Sequence, residues 1–183
     1  MSTGHTQATT SDTTQLPARL QIKNLIAVHI DICQSVKILS NFDDGIKTVL
    51  FFDGFYTLCG RYIEAHSGEL IKYMGDSVLA IFDENDILPA ITAVQEIRKA
   101  FPSYCESAGI NATDIRAGIH IGEAIIGEFG SSGIRDVLGR GSSLAIQMSG
   151  PGITLSEQVY RKLPSEMRGE WKKRKSKVKY HQN

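Results

Sequence analysis

Two aspartates stand where they can do chemistry. Asp31 closes an apolar run, LIAVHIDI over 25–32, and Asp76 follows Gly75 between two further apolar runs. The first run is a strand by its length and β-branched content, and Gly-Asp is a hairpin dipeptide. If the two strands are neighbours, two carboxylates meet at a sheet edge. Such a pair repels unless a cation holds it, and hard oxygen ligands suit Mg²⁺ or Mn²⁺. Two divalent cations bridged by two aspartates make a clamp for in-line displacement at phosphorus. One acidifies a hydroxyl nucleophile; the other holds a triphosphate and its leaving pyrophosphate. The backbone carbonyl of Ile32 is placed as a further metal ligand. Taken singly, an aspartate at a strand end is a solvated cap and Gly-Asp is only a turn; it is the pair that points to chemistry.

The elements that must position this pair are legible from periodicity. In 25–32, period two puts Ile26, Val28, Ile30 and Ile32 on one face and Leu25, Ala27, His29 and Asp31 on the other. A helix follows over about 43–66, with apolar residues at helical spacing. It is interrupted by Gly54 and Gly60, whose presence predicts close packing. Residues 69–82 form two strands around Gly75-Asp76, and a helix spans about 89–107. Two more strands are predicted at 115–121 and 124–129 with a turn at Gly122-Glu123. A glycine-rich loop at 130–133 leads to Asp136. A short helix over about 142–148, a strand near 153–155, a helix at 156–162 capped by Ser156 and a strand at 177–180 complete the chain. The order β-α-β-β-α-β with two hairpins is the split βαβ, or ferredoxin-like, α+β plan: a central, mostly antiparallel sheet with helices on one face.

Composition narrows the classes. The chain has 183 residues, 42% hydrophobic and 22% charged, which suits one domain. Residues 1–19, rich in Thr, Ser and Gln, read as a disordered leader, and 20–183 as the domain. Twenty basic residues balance twenty acidic ones, but unevenly: 168–183 hold seven basic side chains and one acidic. A uniformly basic nucleic-acid binder is excluded, and the tail screens a polyanion or is solvated. Cys33, Cys59 and Cys105 form no CxxC pair and are odd in number, which does not suit a disulfide framework. The apolar runs are too short to cross a bilayer and the start lacks secretory-signal features, so a cytoplasmic protein without membrane attachment is expected. His29, His66 and His120 lack metal-ligand spacing, and His120 is expected to be a satisfied core histidine.

The joint pattern is far more specific than its parts. VHIDICQS, HSGELIKYMGDSVLAIF, IRAGIHIGEAIIGEFG and RDVLGRGSSLAIQMSGPGITLSEQVYRKLP occur in that order over about 22–165. In them the chain resembles the class III nucleotidyl cyclases, the family of adenylate and guanylate cyclase domains. The resemblance implies two divalent cations, Mn²⁺ or Mg²⁺, held by Asp31, Ile32 and Asp76. It implies a phosphate cradle in the backbone from Ile32 to Val36, including Gln34 and Ser35. It makes Lys72 and Asp136 the base-selecting pair, one donating to a ring acceptor and the other accepting from an N–H. It also implies a C₂ homodimer, with metal ligands from one protomer and base and transition-state contacts from its partner. The reaction would convert a ribonucleoside triphosphate to a 3′,5′-cyclic nucleotide and pyrophosphate. A diguanylate cyclase is disfavoured, because the turn MGDSV carries one acid.

The chain departs from the family on the helix after the glycine-containing loop. The family's asparagine and, four residues on, its transition-state arginine are here Ser143 and Gln147. Serine can still bond a ribose; glutamine cannot supply a guanidinium's charge or fork. Such a loss costs about 3–4 kcal/mol of transition-state stabilisation. Arg140 is the first compensating candidate, with Arg135, Lys172 and Arg174 behind it. Retention of both metal aspartates argues for activity; Ser143 and Gln147 argue for a weakened pseudo-cyclase that only binds nucleotide. Lys72 and Asp136 suit adenine, cytosine or uracil and disfavour guanine, while Tyr73, Met74, Val137 and Leu138 set the pocket's size. The chain is also similar to the small stand-alone cyclases of bacterial anti-phage Pycsar systems, which make cyclic UMP or cyclic CMP and alert a cyclic-nucleotide-sensing effector. That likeness weights the expectation toward UTP or CTP, with ATP as the alternative.

Overall fold

The computed structural model describes residues 16–40, 42, 44–148, 150–173 and 179–182, the last four by backbone only. Most of the leader and residues 174–178 of the tail lie outside the described residues. Residues 16–19 are described, and they make a turn at the head of the first strand, Leu20 N–H donating to the Pro17 carbonyl at 2.8 Å.

Strand β1 (Leu20–Ile32) is the spine. It is followed by a short helix α1 (Ser35–Leu39), helix α2 (Gly45–Ala65), strands β2 (Glu69–Met74) and β3 (Ser77–Asp83), and helix α3 (Ile87–Ser107). Strand β4 (Ile115–Phe129) and β5 (Ile134–Leu138) precede helix α4 (Arg140–Gln147). Strand β6 (Gly152–Ser156), helix α5 (Glu157–Lys162), a 3₁₀ turn at Ser165–Glu170 and strands β7 (Trp171–Lys173) and β8 (Lys179–Gln182) close the fold. The sheet order is β2-β3-β1-β4-β6-β8-β7, with β5 beside β4, and among the described residues the one parallel pair is β4 with β6. Its first four strands keep the ferredoxin-like order.

Period two in β1 sorts the core as its sequence requires. Ile26, Val28, Ile30 and Ile32 enter a large cluster with Phe55, Ile63, Ile91, Val94, Ile97 and Phe101 from α2 and α3. Leu25 and Ala27 enter a smaller cluster on the opposite face with Leu79, Ile81, Ile126, Val137 and Ala145. Burial on both faces explains why 25–32 is an almost unbroken apolar run rather than an alternating one.

Three expectations need correction. Helices do not stay on one face: α4 lies across the second face of β4 and β1. The approach is so close that a methyl on Gly118 would come 2.2 Å from the Ala145 carbonyl oxygen. There is no turn at Gly122-Glu123 either. β4 runs unbroken through both residues, paired to β1 from Leu20↔Gly127 to Ile32↔Ile115, and the second hairpin turns instead at 130–133 into β5. A GE dipeptide inside two apolar runs carries no obligatory positive φ, and pairing to β1 supplies what a turn signal would have overridden.

The third concerns the helix glycines, only one of which marks close packing. A methyl on Gly54 would meet the Tyr104 ring and hydroxyl at 2.5–3.0 Å, whereas on Gly60 it would meet nothing nearer than a Glu64 carboxylate oxygen at 3.9 Å. The two glycines should therefore respond in opposite directions in a denaturant titration. Gly60→Ala should gain about 0.5–1 kcal/mol of stability from helix propensity. Gly54→Ala should lose about 1–3 kcal/mol from overpacking. A destabilised Gly60→Ala would show that this side of α2 is not open.

Candidate functional site

The acidic pair is assembled by backbone pairing. β1 lies between β3 and β4, so Asp31 stands opposite Ser77 on one side and Arg116 on the other. Ser77 opens β3 directly after the Gly75-Asp76 turn, in which Gly75 has φ +67°, a conformation that favours glycine. The Ile32 N–H donates to the Asp76 carbonyl at 3.1 Å, closing the end of β1 onto the turn. From α2, the Tyr56 hydroxyl donates to the Gly75 carbonyl at 2.5 Å. From α1, the Ser35 hydroxyl donates to the Asp76 carboxylate.

Asp31 is buried and ion-paired with Arg116. Burial pushes its carboxyl pKa up; the Arg116 guanidinium opposes this, and the neighbouring Asp76 charge adds to it. The same surroundings act on His29, two residues back on the same face. Its pKa is lowered to about 4, chiefly by burial and then by Arg116, against an upward pull from Asp76. Asp31, Asp76 and the Ile32 carbonyl would offer a cation oxygen donors alone, a chemistry that fits Mg²⁺ or Mn²⁺. Among the described residues no three His, Cys, Asp or Glu side chains gather as a metal cluster. A cation here would therefore complete its shell with water and substrate phosphates, as Mg²⁺ commonly does.

The predicted phosphate cradle is narrower than expected. The Ile32 N–H is used by Asp76, and the Cys33 N–H donates to the Asp114 carbonyl at 2.9 Å. Thr113 Oγ1 in turn donates to the Cys33 carbonyl at 3.2 Å. What remains is Gln34, Ser35 and Val36 at the head of α1, with Gln34 in the left-handed region at φ 57°. Backbone N–H groups of a first helical turn have no intrahelical acceptor.

Lys72 and Asp136, 64 residues apart, are brought together: Lys72 Nζ lies 2.7 Å from Asp136 Oδ2. The other Asp136 oxygen accepts from the Val137 N–H at 2.7 Å. Ser143, Gln147 and Arg140 all lie on the exposed side of α4, while Gly141, Ser142 and Ala145 face the sheet. Arg135 is not an unengaged cation: it forms a two-pronged ion pair with Glu69, Nη2 to Oε2 at 2.7 Å. Lys172 is exposed on β7, and Arg174 lies outside the described residues. His120 is buried as expected, and its Nδ1 has no hydrogen-bond partner among the described residues.

Sequence reasoning missed Arg116, Tyr56 and Glu69. Arg116 was detectable: it lies in IRAGIHIGE, and a full-length β4 beside β1 places it opposite Asp31. The misplaced turn at Gly122 hid that register.

No protein-family model matches the sequence. It is similar to adenylate cyclase 1 of Rhizobium meliloti (strain 1021), 28% identical over 93 residues or 46% of this chain. It is also similar to the adenylate cyclase of Anabaena cylindrica, 24% identical over 140 residues or 68% of this chain. The matched regions are 14% and 28% of those two curated proteins, so the chain spans well under half of either. Among solved structures, a bacterial light-regulated adenylyl cyclase superposes with a TM-score of 0.76 at 19% identity, over 91% of this chain and 53% of that one. The adenylyl cyclase CyaB from P. aeruginosa superposes with a TM-score of 0.74 at 20% identity, over 90% and 95%. The chain thus has the mixed α+β fold of nucleotidyl cyclase catalytic domains. No helix among the described residues is long and apolar enough to cross a membrane.

The histidine surroundings give a pH prediction. Between pH 6.5 and about 4 the unfolded chain takes up a proton at His29 that the folded chain refuses, so stability falls as pH drops through that window. His120, lowered by burial and by Arg140, acts in the same direction. His29→Gln should remove about 2–3 kcal/mol of this acid-side loss. Melting temperatures at pH 7, 6 and 5 read it as a shallower slope; an unchanged slope would place the acid sensitivity elsewhere.

Proposed function

We propose that this chain is a nucleotidyl cyclase. The observation that carries the reading is the meeting of Asp31 and Asp76 at adjoining strand ends, in a sheet that also brings Lys72 to Asp136. The ribose 3′-oxygen would attack the α-phosphorus of a ribonucleoside triphosphate. A new P–O bond forms, the bond from the α-phosphorus to the oxygen of the β-phosphate breaks, the hydroxyl proton passes to solvent and pyrophosphate leaves. Divalent cations bound at the acids would lower the hydroxyl's pKa and neutralise the triphosphate.

The remaining parts fall to the chain's own residues. Asp31 and Asp76 hold the cations, with Ile32 lending its carbonyl. Gln34, Ser35 and Val36 offer backbone N–H groups to phosphate oxygens. Arg116 supplies fixed positive charge beside the acids. In this reading it, rather than Arg140, Arg135 or the tail, offsets the loss of an arginine at Gln147. Lys72 and Asp136 part to take the base edge. That edge code suits adenine and cytosine alike, and uracil with the roles shifted. The adenylyl cyclases among the similar proteins favour ATP as substrate; UTP or CTP, with a role in anti-phage signalling through an effector, rests on the Pycsar resemblance. Ile146 is an exposed apolar residue of α4, and with Ser143 and Gln147 turned outward beside it, it supports a second copy docking over this helix.

Incubation with ATP, GTP, CTP and UTP separately, with Mn²⁺, should give one cyclic mononucleotide identifiable by mass. Asp31→Asn or Asp76→Asn should lower turnover by about a thousandfold or more. Arg116→Gln should lower it by about a hundredfold. Undiminished product from either aspartate variant would sink the assignment. The exposed Ser143 and Gln147 favour one second reading, a nucleotide-binding module; it predicts nucleotide-dependent thermal shifts without product.

A further inference from the structure

The base-reading pair does not stand alone. β2 pairs with β3, and β5 pairs with β4; β2 and β5 share no strand ladder. They meet through side chains. Lys72 on β2 reaches Asp136 on β5 at 2.7 Å, and three residues earlier on β2, Glu69 takes both prongs of the Arg135 guanidinium. Along the chain β2 reads acid then base, and β5 reads base then acid. β2 bulges between Leu70 and Lys72, so Glu69 stands opposite Ile81 and Lys72 opposite Leu79, two residues apart on β3 and hence on one face of β2. Two ion pairs from neighbouring residues of β5 to that face resist the sliding of β5 more than a single pair can.

We infer that Glu69 and Arg135 are positioning residues, a clamp that sets how far Asp136 stands from Lys72 and thereby which base edge the site accepts. The inference rests on Lys72 and Asp136 being the base-reading pair. It follows from what else holds β5. Its ladder to β4 fixes backbone register, and Val137 is buried against the second core cluster. Ile71 and Met74 of β2 pack against the same cluster, a contact that is apolar and non-directional. The guanidinium fork adds what that packing lacks, because two parallel N–H···O contacts define an orientation as well as a separation. Each partner also faces a competing charge: Lys23 acts on Glu69, and Glu128 acts on Arg135. Losing one partner therefore lets the other swing to a different mate, and β5 with it.

The test uses the full chain and a readout that needs no turnover. Dissociation constants are measured for the α,β-methylene analogues of ATP, GTP, CTP and UTP, which cannot cyclise. The proteins are the unmodified chain, Glu69→Gln, Arg135→Gln, Arg135→Lys, the double exchange Glu69→Arg with Arg135→Glu, and Lys72→Ala. Each Gln variant should lower the preference for the best base over the next by roughly three- to tenfold. Melting temperatures should stay within about 2 °C. Arg135→Lys, which keeps charge but loses the fork, should fall between. The double exchange should restore most of the preference. Selectivity untouched by the Gln variants but lost in Lys72→Ala overturns the clamp while leaving the base-reading pair standing. A loss that the double exchange does not restore, or that tracks melting temperature, overturns it as well. If Lys72→Ala keeps full selectivity, the base-reading assignment falls and takes the clamp with it.

Discussion

Asp31 and Asp76 repel one another, and the fold keeps them together by backbone pairing that neither side chain can escape. β1 is hydrogen-bonded on both edges, and its end is closed onto the turn through Ile32 and the Asp76 carbonyl. A slip of one residue in β1 would send Asp31 to the face packed by α2 and α3 and drive Ile32 out of that core. Eight consecutive buried residues, 25–32, stand against that slip. The hydrophobic core thus fixes where the charges lie, and their mutual repulsion is borne by the apolar surface buried along the same strand. Burial is the main reason that the pKa of Asp31 is raised; Arg116 moderates the shift and the Asp76 charge adds to it.

The parts of this fold that sequence exposes are those where pattern and burial agree. The two faces of β1 divide into the two core clusters along the period-two assignment. The Gly75-Asp76 turn lies where a glycine with positive φ is required, and Ser156 caps α5 with its side-chain oxygen. The failures have one cause: a local signal was read without its tertiary partner. Gly122-Glu123 looks like a turn until a second strand of equal length lies alongside it. Gly60 looks like a packing site until the helix is rotated and its open side appears. The seating of α4 on the second face depends on Gly118 and Ala145, far apart in the chain, and nothing near either one announces it.

At the site, residue types were more legible than residue roles. The two acids, Lys72 and Asp136 could be named from spacing and resemblance, and the fold brings each pair together. Whether an arginine is available could not be read that way, because availability is decided by neighbours. Arg135 is held by Glu69, Arg140 stands exposed at the head of α4, and Arg116 is drawn to Asp31 by a register that only the intact β4 reveals.

In the proposed cyclase, glutamine at position 147 need not leave the site without charge, and physics says which replacement is the better kind. An arginine on the exposed face of a short helix loses side-chain entropy when it engages a phosphate, and water screens it until then. Arg116 projects from the central strand β4, already ordered by its contact with Asp31. A group ordered beforehand gives more of its interaction energy to the reacting phosphate and less to its own immobilisation. Its position has a second effect. Because Arg116 neutralises Asp31 when nothing else does, any cation or phosphate arriving at the acids must redistribute that charge. In the proposed reaction, a cation at Asp31 and a phosphate beside it would take over the two halves of the Asp31–Arg116 pair while the strand register that holds Arg116 stays unchanged.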